Sequence, residues 1–106
     1  MPTHTVIITT CENKEQARNL ARGLVENKLA ACIQLIPIES VYQWEGKLTE
    51  TEEILLLVKT KSNLFSEIEK YITSHHTYST PEILSLPIEK GFDKYLNWID
   101  ENTIPA

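Results

Sequence analysis

Two adjacent histidines, His75 and His76, stand in the segment SHHTYSTPEI (residues 74–83), with Tyr78 and Glu82 close behind. Neutral imidazole is the commonest protein metal ligand, and imidazole combined with thiolate suits copper or zinc better than magnesium or calcium. Yet successive side chains diverge by about 100° on a helix and about 180° on a strand. Neighbouring histidines of one chain are therefore a poor chelate. A different reading needs no metal: His75 ends a helix, where positive charge is favourable against the dipole, and His76 packs at the following turn. The thiols Cys11 and Cys32 form no CxxC pair, and two free cysteines are expected.

Other chemistry finds little support. The chain has only three glycines (Gly23, Gly46 and Gly91), too scattered for a phosphate-cradling loop. Neither cysteine sits in a recognisable nucleophile signature, so no enzymatic activity is expected. The net charge is −5, and only Arg18 and Arg22 among the ten basic residues are arginines, which argues against a nucleic-acid partner. No apolar run approaches the roughly 20 residues that cross a bilayer. The first residues, MPTHTVIITTCENKEQ, lack a basic leader. The expectation is one cytoplasmic domain, residues 1–106, that needs no cofactor to fold.

The elements that must position these residues follow from periodicity. THTVIITT (3–10) is short and rich in β-branched residues, a strand. Asn13 caps a helix with Gln16 as capping-box partner, and Ala17, Leu20, Ala21, Leu24 and Val25 form its apolar face, ending near Asn27–Lys28. Residues 29–60 form a long hairpin turning at Glu45-Gly46-Lys47. Pro37 puts its first arm at a sheet edge or bulge, whereas Ile54–Val58, apolar on both faces, is central. A second helix spans 63–74, capped by Ser62, with Leu64, Phe65, Ile68 and Ile72 inward. EILSLPI (82–88) is an edge strand, and Phe92, Tyr95, Leu96 and Ile99 mark a short C-terminal helix.

The order β-α-β-β-α-β-α predicts an α+β fold of ferredoxin-like type, an antiparallel sheet with two helices on one face. The first and third strands are apolar on both faces, so two helices leave a patch bearing Val6, Ile8, Leu55 and Leu57 or their opposite-facing neighbours. Such a patch marks an interface. The C-terminal helix covers part of it, and self-association is expected to bury the rest.

LVENKLAACIQLIPIESVYQWEGKL, EEILLLVKT, HHTYSTPEILSLPI and the YLNWI tail, in that order, closely resemble the CutA family of divalent-cation tolerance proteins. The resemblance runs from about Val6 to Ile99. It implies a ferredoxin-like subunit with a long β2–β3 hairpin, assembled as a homotrimer and linked to tolerance of copper and other divalent ions. The trimer design is also similar to the PII-like signalling trimers of nitrogen metabolism.

For the site, the resemblance implies a copper ligand set of Cys11, His75 and His76. It also implies that Cys32, Tyr42, Trp44, Lys59, Tyr78 and Glu82 gather in clefts between subunits, as a small-molecule or partner site. Alternatively Tyr42 and Trp44 are interface anchors and Lys59 pairs with Glu82. In one place the chain departs from the family: it reads His76-Thr77-Tyr78 where a proline usually follows the histidine. Threonine lifts the bias that proline would place on the backbone of His76.

Overall fold

β-Branched residues hold the first segment extended as β1 (His4–Cys11), one of the two inner strands of a four-stranded antiparallel sheet. The computed structural model describes residues 2–105. After β1 come α1 (Lys14–Glu26), β2 (Cys32–Trp44), β3 (Lys47–Lys61), α2 (Phe65–His75), β4 (Ile83–Pro87) and α3 (Asp93–Glu101), in the strand order β2-β3-β1-β4. The proline-bearing strands β2 and β4 are thus the two edges, where a missing ladder donor does least harm.

Alternation divides the sheet into two faces. Ile7 of β1 and Leu56 and Val58 of β3 are fully buried in one cluster with Ala17, Leu20 and Leu24 of α1 and with Leu64, Ile68 and Ile72. Burying each large aliphatic side chain contributes about 1.5–3 kcal/mol, so this face holds the fold together. Val25, expected on the inward face of α1, is 40% exposed, because the buried stripe there narrows to positions 17, 20 and 24, with Ala21 half-buried beside it. On the opposite face Ile8 lies between Leu57 and Leu84. Here α3 packs on β3. Ile99 is fully buried but lies outside the main cluster, and His4 Nε2 meets Asp100 Oδ1 at 2.8 Å. Leu84, Leu86 and Ile36 stay exposed there.

The helix ends obey local rules. Asn13 caps α1 by accepting from the Gln16 amide at 3.0 Å. The reciprocal half of the expected capping box gives way to a bond from Thr77 Oγ1 to Gln16 Oε1 at 3.4 Å. At the other end the Lys28 and Leu29 amides donate to the Val25 and Leu24 carbonyls, a Schellman closure with Lys28 at φ 56° where glycine is usual. Ser62 does not cap α2 with its side chain. Its hydroxyl donates to the Pro2 carbonyl, residues 62–64 form a 3-10 turn, and α2 proper starts at Phe65.

β2 and β3 pair along their whole length, from Cys32↔Lys59 to Trp44↔Lys47. Glu45 and Gly46 make the two-residue turn with φ values of 50° and 76°, both positive as a type I′ hairpin demands. β1 reaches only as far as Ile54, so the outer part of the hairpin projects beyond the rest of the sheet. Leu48 there is 70% exposed and Trp44 54%.

Thr9 Oγ1 is, among the described residues, the one buried side-chain polar atom with no hydrogen-bond partner. An unsatisfied buried hydroxyl costs about 1–3 kcal/mol. Thr9→Val, nearly isosteric, is expected to stabilise the fold by about 1 kcal/mol, read as a shift of the urea midpoint. A midpoint that falls or stays put would show that the hydroxyl is satisfied.

Candidate functional site

The C-terminal end of β1 abuts the segment that leaves α2, and most of the candidate residues gather there. Cys11, the last residue of β1, is 2% exposed, and its Sγ lies 3.9 Å from His76 Nε2. The Tyr78 amide donates to His76 Nδ1 at 3.0 Å, so Nδ1 carries no proton. Nε2 is then the protonated nitrogen and donates to the Thr10 carbonyl at 2.6 Å. Both ring nitrogens of His76 are engaged, Nδ1 within the loop and Nε2 in holding the loop against the sheet. His76 has φ −86° and ψ 147°, the extended conformation that a following proline would favour, adopted here with Thr77 in its place.

His75 faces a different environment. As the last residue of α2 it donates from Nδ1 to the Tyr71 carbonyl at 2.7 Å, leaving Nε2 as the free acceptor. Metal-binding histidines commonly have one nitrogen oriented in this way by a carbonyl. Its ring stacks on Tyr71 at a centroid distance of 4.0 Å. Tyr71 in turn lies over Gly23 of α1: a Cβ at position 23 would stand 1.8 Å from the Tyr71 hydroxyl oxygen.

Cys11, His75 and His76 do line one small cavity of about 20 Å³, together with Gln16, Leu20 and Thr77. The donor types suit copper or zinc, but the donors are not prearranged. Among the described residues, no group of three or more His, Cys, Asp or Glu side chains is placed to hold a metal ion. Burial, with the Glu53 carboxylate adding to it, pushes the Cys11 thiol up to about 11, which disfavours the thiolate a metal requires. His75 Nε2 is therefore the donor available without breaking an existing bond.

A larger cavity of about 690 Å³ lies between the projecting hairpin and residues 77–82. Tyr42, Trp44, Tyr78 and Glu82 all line it, with Thr10 and Glu53. Tyr78 donates its hydroxyl to Glu53 Oε2 at 2.8 Å, and burial followed by this bond holds the phenol well above its usual range. Glu53 is inconspicuous in the sequence because the run ETEE looks like a solvated strand end. The missed signal was alternation from Leu55 and Leu57, which puts position 53 on the same face as they are. Lys59 and Cys32 are not part of this cavity within one chain. They pair with each other in register, six residues further along β3 than Glu53 and so about 20 Å away. Lys59 Nζ donates to Gln34 Oε1 at 2.6 Å rather than meeting Glu82, and Cys32 lies beside Tyr95.

Fold and site together define a class: an α+β protein with a four-stranded antiparallel sheet and three helices, with Cys and His donors beside an acidic, aromatic cavity. Comparison with known proteins agrees. The model of the CutA1 divalent ion tolerance protein family matches residues 5–102, and the chain belongs to that family. It is 50% identical over 93 residues to a CutA homolog from Xenopus laevis, aligning 87% of this chain with 62% of that protein. The chain thus spans less than two thirds of that relative's length. It is 42% identical over 99 residues to the divalent-cation tolerance protein CutA of Thermus thermophilus, covering 92% and 96% of the two chains. The crystal structure of CutA1 from Oryza sativa superposes with a TM-score of 0.96 at 39% identity, covering 99% of this chain and 97% of that one.

The raised thiol has a consequence for stability against pH. Unfolded, Cys11 loses its proton near 9.0, whereas folded it keeps it to about 11. Its contribution is fully present below pH 9 and is lost as pH rises through 11, with Tyr78 acting in the same direction from higher pH. The urea midpoint of the native chain is expected to fall more steeply between pH 9 and 11 than that of Cys11→Ala. Parallel curves would overturn the assignment.

Proposed function

We propose that this chain is a homotrimeric divalent-cation tolerance protein that holds copper or a similar divalent ion weakly where β1 meets α2. The observation that carries this reading is that Cys11, His75 and His76 line one cavity although the histidines are neighbours in sequence. His75 Nε2 makes the first contact. Cys11 and His76 join only as the thiol loses its proton and the imidazole leaves Thr10 or Tyr78, so affinity is modest and depends on pH. Bound there, the ion would supply positive charge at the junction, while Tyr78 and Glu53 hold the surrounding loop. The reading includes no catalytic step. It takes the strand order β2-β3-β1-β4 as a ferredoxin-like subunit.

Assembly is supported by apolar surface that one chain leaves uncovered: Ile36, Leu84 and Leu86 on the open sheet face, and Val41 and Leu48 on the hairpin. A ring of three closes by heterologous contacts, each hairpin lying on its neighbour.

A second reading has its own support: a sensor or scaffold that binds a small molecule in the cavity lined by Tyr42, Trp44, Tyr78 and Glu82, placed at an intersubunit cleft. Lys59 and Cys32 would reach such a cleft only from a neighbouring subunit.

Two measurements test the main reading. Calorimetric titration with Cu²⁺ and Zn²⁺ is expected to give weak binding that His75→Ala/His76→Ala removes; unchanged binding in that variant would eliminate the site. Sedimentation equilibrium at micromolar concentration is expected to give three times the chain mass of 12.2 kDa. A monodisperse monomer would refute the assembly.

A further inference from the structure

The larger cavity carries a chemical signature that its membership in a family does not supply. It is lined by three aromatic rings, Tyr42, Trp44 and Tyr78, and by two carboxylates, Glu53 and Glu82, with no lysine, arginine or histidine among its lining residues. Glu53 is only 9% exposed, and the Tyr78 hydroxyl fixes it through Oε2. Its other oxygen, Oε1, has no hydrogen-bond partner among the described residues and is open to the cavity rather than sealed in the core. A carboxylate with no cation beside it is a ready partner for a charged N–H donor that enters the cavity. Aromatic faces attract cations through their quadrupole. The two features select the same ligand, a positively charged group with N–H donors.

We propose that this cavity binds an alkylammonium ligand, a small amine or polyamine. The ammonium group donates to Glu53 Oε1, Glu82 supplies the second negative charge, and the methylene chain lies against Tyr42 and Trp44. The volume of about 690 Å³ is that of a small-molecule site. A divalent metal ion fits less well, because the rings offer it nothing and it would have to shed tightly held water. An anion is repelled by both carboxylates. The proposal rests on the cleft reading given above, in the form that leaves Lys59 on Gln34 and outside the cleft, and names the ligand class for it.

The test uses the full chain with Trp98→Phe, so that Trp44 is the one remaining tryptophan and reports from the cavity wall. Three probes of matched carbon skeleton are titrated at constant ionic strength: 1,4-diaminobutane, n-butylammonium and 1-butanol, followed by fluorescence and calorimetry. The expected order of affinity is diamine, then monoamine, then alcohol, with the monoamine about tenfold tighter than the alcohol. Glu53→Gln is expected to weaken the diamine about tenfold. If 1-butanol binds as tightly as the amines, the cleft stands as a ligand site and the cationic assignment is overturned. If no probe gives a saturable signal by either method, the cleft reading fails with it. Mg²⁺ displacing the diamine at equal concentration would reduce the effect to simple charge and overturn the role of the rings. Should Glu53→Gln fold poorly, the amine-to-alcohol ratio on the native cavity decides the question unaided.

Discussion

The pairing of β1 with β3 is the constraint from which the rest follows. In its register, Ile7 opposes Val58 on the face covered by helices, and Ile8 opposes Leu57 on the other. A slip of one residue would exchange the two faces, sending the hydrophobic set toward solvent and the threonines of β1 into a different environment. The same register ends at Cys11↔Ile54, which fixes where the thiol sits relative to the loop after α2. It also fixes which residues of β3 are left to pair with β2 alone, and so how far the hairpin projects.

The candidate site is a product of that ending. Because β1 stops at Cys11, the segment from His76 to Glu82 can cross the end of the sheet, held by three hydrogen bonds from different sources: His76 to Thr10, the Tyr78 amide to His76, and the Tyr78 hydroxyl to Glu53. These bonds order the loop. They also explain why the two histidines differ so much. One imidazole is consumed by structure with both nitrogens occupied, while its neighbour keeps a nitrogen free.

Much of this was legible in the sequence where the physics is local. Element order, the Asn13 cap, the turn at Glu45-Gly46 and the edge positions of the two proline-bearing strands all follow from short-range rules, and the structure contains them. What escaped depends on tertiary partners. Ser62 has cap chemistry, yet its hydroxyl goes to Pro2, a residue far away in sequence. Lys59 and Glu82 have opposite charges, but the sheet sets them apart. The state of His76 depends on a carbonyl in β1, and no spacing within SHHTYSTPEI could have disclosed it. Glu53 was hidden by composition, since three glutamates in a row of four polar residues read as solvated surface.

The bare Cα of Gly23 bears on the only imidazole nitrogen in the pair that is free. Tyr71 occupies the space that a side chain at 23 would take, and His75 rests on Tyr71. Mid-helix glycine lowers helix stability by about 1 kcal/mol relative to alanine, so α1 bears a local penalty for a contact whose effect is felt on α2. Positions 23, 71 and 75 thus form one packed column, from the bare Cα through the phenol ring to the imidazole. Across divergent sequences, a larger residue at the first position should be accompanied by a smaller one at the second, and the orientation of the terminal histidine should change with them.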